Sequence, residues 1–97
     1  MTKLYEIIDR NRNKILDIAS YYHATNVRVF GSVVRGEERE GSDIDLLVEF
    51  LPGSTLLDQV ALIDRLSSEL GRKVDIVSER ALNIYLRERV LQEAVPL

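Results

Sequence analysis

Apolar residues recur at three- and four-residue spacings at the start of the chain, where Leu4, Ile7, Ile8, Ile15, Ile18, Ala19 and Tyr22 stand among charged neighbours. That period predicts one amphipathic helix over residues 3–22, with Thr2 placed to cap it and one face packed on a sheet. His23 follows, where an imidazole more commonly meets a helix dipole than serves catalysis. The pattern then shortens: residues 27–30 form a brief apolar run that Gly31 ends, and residues 33–36 have room for about one helical turn capped by Ser32. After a charged loop at 37–41, period-two alternation predicts a strand over 43–50. Ile44, Leu46 and Val48 share one of its faces; Asp43, Asp45, Leu47 and Glu49 share the other. Pro52-Gly53 marks a turn. Ser54 or Thr55 then opens a helix to about Leu70, with a stripe at Leu56, Leu57, Val60, Ile63, Leu66 and Leu70 and Gly71 as its stop. Residues 74–77 predict a third short strand, and a last helix is expected from about 78 to 94, apolar at Leu82, Tyr85, Leu86, Val90 and Leu91.

The order α-β-α-β-α-β-α describes an α/β (α+β) domain, a small mixed three-stranded sheet flanked by helices. The second and third strands are separated by a full helix, so they pair in parallel through a right-handed crossover. The connection between the first two strands is too short for that, which makes them antiparallel. Such a topology gathers the end of the first strand (Gly31-Ser32), the start of the second (Asp43, Asp45) and the start of the third (Asp75) at one edge of the sheet.

The residues at that edge carry the chemistry. Period two puts the Asp43 and Asp45 carboxylates on one face, with Cα atoms roughly 6–7 Å apart. Carboxylate oxygens are hard ligands suited to Mg²⁺ or Mn²⁺, and Asp75 on the neighbouring strand joins them. Facing aspartates repel one another unless a cation or proton intervenes. An Asp-x-Asp pair alone is a weak signal, more often a surface feature; its neighbours change that weighting. Gly31 lets a phosphate approach the backbone without a Cβ in the way. Ser32 offers a hydroxyl at a helix start, a place that favours anions, and Arg35 stands one turn on to meet a phosphate or a nearby acid. Acids for metal, backbone and hydroxyl for phosphate, and one cation are what metal-assisted nucleotidyl transfer requires. Asp75 is the candidate general base for the attacking hydroxyl.

Composition narrows the setting. The chain has 97 residues, 45% hydrophobic and 30% charged, which predicts a single soluble domain over residues 1–97. Absence of cysteine excludes a disulfide framework and a thiolate metal site. The first residues lack the apolar core of a signal sequence, and no apolar run approaches the roughly 20 residues of a membrane span, so a cytoplasmic protein without membrane contact is expected. A formal net charge of −3 disfavours direct nucleic acid binding.

Gly31-Ser32, ten residues, then Asp43-Ile44-Asp45 resembles the G-S-x10-D-x-D signature of the DNA polymerase β-like nucleotidyltransferase superfamily. The fuller pattern of Gly31, Ser32, Arg35, Gly36, Ser42, Asp43, Asp45 and Leu46 is similar to the minimal nucleotidyltransferases, the MNT or MntA-like group, as is the closing Glu93-Ala94-Val95-Pro96-Leu97. The resemblance implies the nucleotidyltransferase fold and transfer of AMP from ATP. It implies that Asp43 and Asp45 hold two Mg²⁺ ions, with Asp75 as the third carboxylate, a metal ligand and the group that orients or deprotonates the acceptor. Gly31 and Ser32 would seat the β- and γ-phosphates, and Arg35 and Ser42 would complete the nucleotide-binding set. It also implies a partner, a HEPN-type ribonuclease toxin silenced by adenylylation of a tyrosine; whether the chain forms a homodimer or a hetero-oligomer with the toxin is left open by the sequence. Two other readings stand beside it: transfer to a small molecule or an RNA end, and an antitoxin that neutralises by binding alone. Tyr21 and Tyr22 cannot both face the core, and Arg80, Arg87 and Arg89 on the last helix form either a solvated face or a docking stripe.

Overall fold

The computed structural model describes residues 3–39 and 41–97; the expected cap Thr2 and the loop acid Glu40 lie outside them. The expected first helix is two. α1 (Lys3–Arg10) and α2 (Arg12–Tyr21) meet at Asn11, whose side-chain amide donates to the Ile7 carbonyl at 2.7 Å. An asparagine that bonds back to the preceding turn competes with the helix ladder. The apolar period hides this break because Leu4, Ile8, Ile15, Ile18 and Ala19 all reach the same core. Tyr21 is 75% exposed and packs edge-on against the half-buried Tyr22, ring centroids 4.9 Å apart.

β1 (Ala24–Phe30) begins earlier than its apolar run, through a bulge between Thr25 and Arg28 where Asn26 takes φ +51°. His23 also has positive φ and places Nδ1 3.4 Å from Asp58, at the end of β1 away from Gly31. The turn α3 (Ser32–Arg35) is capped by Gly31 with no side-chain hydrogen bond, so Ser32 is its first residue rather than its cap. β2 (Ile44–Phe50) is central, antiparallel to β1 and parallel to β3 (Val74–Ser78). Between β2 and β3 runs α4 (Leu56–Leu70), opened by a reciprocal box in which Asp58 N–H donates to Thr55 Oγ1 and Thr55 N–H to Asp58 Oδ2.

The expected stripe of α4 is corrected. Leu62, Leu66 and Leu70, four apart, face the core, while Leu56, Leu57 and Val60 are exposed. Consecutive leucines at the helix start obscure which turn faces inward. After β3 a 3₁₀ turn (Glu79–Ala81) delays the last helix: Leu82 and Asn83 are extended, and the Asn83 side chain caps α5 (Ile84–Glu93) by accepting from Tyr85 N–H at 2.8 Å.

A fourth strand completes the sheet, in the order β3-β2-β1-β4 where three strands were expected. β4 (Val95–Pro96) pairs antiparallel with β1, Val95 opposite Val29, and Leu97 N–H donates to Val27 at 3.0 Å. Two residues with a proline carry no alternation to read, and proline is tolerated because this strand is at the edge. α2 and α4 pack together over the face of Ile44, Leu46 and Val48. Leu47, equally buried, lies on the other face with Asp45.

Candidate active site

The sheet register builds the site. Asp45 on the central strand stands directly opposite Phe30 of β1 on one side and Asp75 of β3 on the other. The residue after Phe30 is Gly31, at φ +84° and ψ −155°, a conformation that an L side chain does not adopt comfortably. A Cβ placed there would overlap the Asp45 carboxylate and stand 3.2 Å from its Cγ. Gly31 is therefore glycine for two reasons, its backbone angle and the carboxylate against it.

Asp43 immediately precedes β2, with an oxygen 3.7 Å from Lys73 Nζ. Burial, then the charges of Asp75 and Asp43, push the Asp45 carboxyl above its ordinary value, with Arg35 acting in the opposite direction. Three aspartates thus reach one edge and sense one another. Among the described residues, no three histidine, cysteine or acidic groups are grouped to hold a metal ion.

Two residues expected to bind nucleotide are occupied within the protein. Ser42 Oγ accepts from Arg39 N–H at 2.6 Å while Ser42 N–H donates back to Arg39, which ties the serine into its loop. Arg35 donates to Glu93 at 2.6 Å and to Glu37 at 3.1 Å, and these bonds, Glu93 first, raise its guanidinium above the ordinary value. Ser32 lies beside Gly31 with no capping bond to make.

Glu93 is the residue that sequence reasoning missed. Its carboxylate accepts from Arg35 through Oε1 and from Gly31 N–H through Oε2 at 3.2 Å, although it comes from the end of α5. The pairing of Val95 with Val29 fixes it there. The closing Glu-Ala-Val-Pro-Leu run was the only signal, and it named no contact. A cavity of about 340 Å³ opens at this point between the sheet edge and one side of α5, bordered by Gly31, Arg35, Asp45, Leu86, Arg89 and Glu93. Arg80 and Arg87 lie by a different cavity, near Glu79 and the far ends of β2 and β3.

Magnesium is compatible with this donor set. It usually takes one or two carboxylates and completes its shell from substrate phosphate and water rather than from an all-protein cage. A half-buried Asp45 whose ionised form is opposed by two neighbouring aspartates is stabilised by a cation.

Comparison with known proteins identifies the family. The nucleotidyltransferase domain model matches residues 12–97. A Methanocaldococcus jannaschii protein, provisionally named a protein adenylyltransferase, is 40% identical over 88 residues, covering 91% of this chain and 95% of its own. Protein adenylyltransferase MntA of Thermococcus cleftensis is 37% identical over 79 residues, covering 81% and 80%. A solved structure described provisionally as a minimal nucleotidyltransferase shares 53% identity with a TM-score of 0.86, over 95% of this chain and 94% of that one. A toxin–antitoxin crystal structure with AMP-PNP shares 26% identity with a TM-score of 0.75, over 89% and 71%. This chain belongs to the nucleotidyltransferase domain family and is a transferase of the minimal, MntA-like kind.

Proposed function

We propose that the protein transfers AMP from ATP to a tyrosine hydroxyl of a HEPN-type ribonuclease toxin and so acts as that toxin's antitoxin, as a single cytoplasmic domain over residues 1–97. The observation that carries this reading is the register of Asp45 between Phe30 and Asp75, which sets two carboxylates beside the Gly31-Ser32 turn. Support comes from relatives named for protein adenylyltransfer and from a similar fold in a toxin–antitoxin structure holding an ATP analogue. No helix among the described residues is long and apolar enough to cross a membrane.

Gly31 and Ser32 receive the end of the triphosphate. Asp43 and Asp45 are the residues that would hold Mg²⁺, with Asp75 opposite Asp45 on the next strand. When bound, the metal would neutralise phosphate charge and favour in-line displacement. Asp75 takes the proton of the acceptor hydroxyl. The acceptor oxygen forms its bond to the α-phosphorus, the bond from that phosphorus to the bridging oxygen breaks, and pyrophosphate leaves with the electron pair. Asp75 suits this role because it neighbours Asp45 directly and belongs to another strand, so it can serve the acceptor without giving up the Asp43-Asp45 pair.

The test incubates the purified protein with labelled ATP, Mg²⁺ and the product of the adjacent gene, followed by mass analysis of that product. Mass is expected to rise in AMP units with the parent and not with Asp43→Asn or Asp45→Asn. Full neutralisation of the partner by Asp45→Asn without AMP transfer would assign the protein to binding alone.

A further inference from the structure

We infer that Arg89, on the side of α5 that borders the Gly31 cavity, is the cation that receives the nucleotide's phosphate chain, and that Arg35 is a structural clamp. The inference deepens the nucleotide-transfer reading above and rests on it. A triphosphate brings several negative charges to an edge already lined by Asp43, Asp45, Asp75 and Glu93, so it needs a cation of the protein as well as the metal. Arg35 is the residue the motif offers. Its guanidinium, though, is engaged by two carboxylates, Glu93 at 2.6 Å and Glu37 at 3.1 Å, and Glu93 at the same time holds Gly31 N–H. A guanidinium shared by two acids has little attraction left for a third anion.

Arg89 differs. It borders the cavity of about 340 Å³ together with Arg35, Gly31 and Asp45, but unlike Arg35 it has no hydrogen bond or ion pair among the described residues. Leu86, Arg89, Val90 and Glu93 all border that cavity, spaced as one face of a helix. Glu93 is pinned by Gly31 and by the pairing of Val95, two residues on, with Val29, so this face cannot turn away without breaking both attachments. A planar guanidinium on a fixed helix face beside the Gly31 turn suits bidentate contact with phosphate oxygens.

The test is a titration of the full chain with a fluorescent ATP analogue and Mg²⁺, followed by displacement with ATP and with inorganic tripolyphosphate. Parent, Arg89→Gln, Arg89→Lys and Arg80→Gln are compared. Arg80 is an exposed arginine of the same charge, outside the site and also without a partner among the described residues. Arg89→Gln is expected to weaken ATP and tripolyphosphate by the same factor, about tenfold or more, the worth of a charge-assisted hydrogen bond. Arg89→Lys should recover part of the loss, and Arg80→Gln should stay within about twofold of the parent. Unchanged binding by Arg89→Gln overturns the inference. So does an equal loss in Arg80→Gln, which would make the effect one of net charge, or a loss for ATP alone, which would place Arg89 on the nucleoside. A parent that binds no ATP analogue would instead refute the nucleotide-transfer reading itself.

Discussion

Asp45 and Asp75 are direct partners across the parallel pair β2–β3, two carboxylates side by side at the mouth of the sheet. Burial and then this neighbour raise the Asp45 carboxyl above its ordinary value of 3.8. A carboxyl raised on folding binds its proton more tightly in the native state, so its ionisation lowers stability. The cost is absent below the ordinary value, grows as pH rises through the raised one, and is complete above it. Metal-free Asp45→Asn is therefore expected to melt at a higher temperature than the parent at neutral pH, with the difference shrinking as the medium is acidified. Melting curves across pH check this; an Asp45→Asn variant less stable than the parent at pH 7 would contradict it.

The same repulsion predicts how metal acts. Mg²⁺ with ATP should raise the melting temperature of the parent, by about 2.7 kcal/mol of stability at a hundred times its dissociation constant. Asp43→Asn and Asp45→Asn should lose most of that gain. Thermal shift with and without Mg²⁺ reads the difference, and an equal gain in all three proteins would place the metal elsewhere.

Gly31 and Gly53 separate backbone strain from contact. Both have positive φ, but only at Gly31 would a Cβ meet another residue, the Asp45 carboxylate. Gly53→Ala should cost stability of about 1 kcal/mol and leave transfer intact. Gly31→Ala should cost on the order of 1–3 kcal/mol and abolish transfer, because Asp45 must move. Denaturant unfolding and AMP-transfer rates measured on the same samples test the pair; a Gly31→Ala protein with normal transfer would refute the contact.

The box that opens α4 lies away from the site, at the Phe50 end of β2. Thr55→Ala should cost about 1 kcal/mol and leave the transfer rate unchanged. The Thr55 backbone bond, with lesser help from His23, holds the Asp58 carboxyl below its ordinary value. A lowered carboxyl adds stability above its unfolded value, lost as pH falls through the folded one. Asp58→Asn should therefore make acid unfolding less steep, the opposite of the Asp45 effect. Matching acid profiles for Asp45→Asn and Asp58→Asn would show that the two signs are misassigned.

Much of the site was legible in the chain because it is local. Asp43 and Asp45 are set by period two, Gly31-Ser32 ends a run, and the helix between 56 and 70 forces β2 and β3 to be parallel, so Asp75 had to arrive at the same edge. The nucleotidyltransferase signature rests on these short-range relations. What fell outside the sequence reading is long-range. Whether Arg35 is available to phosphate depends on Glu93, 58 residues on, and whether Glu93 reaches Gly31 depends on a two-residue edge strand that no periodicity announces. Which leucines of α4 face inward was likewise set by how the helix rests on the sheet, since apolar residues occur on both its sides. Spacing along the chain determined which groups could act, because strand and helix periods are local properties of the backbone. Only the tertiary structure decided which charges neutralise one another, because attraction between charges depends on distance in space, and the packing of α5 and β4 alone fixes that distance.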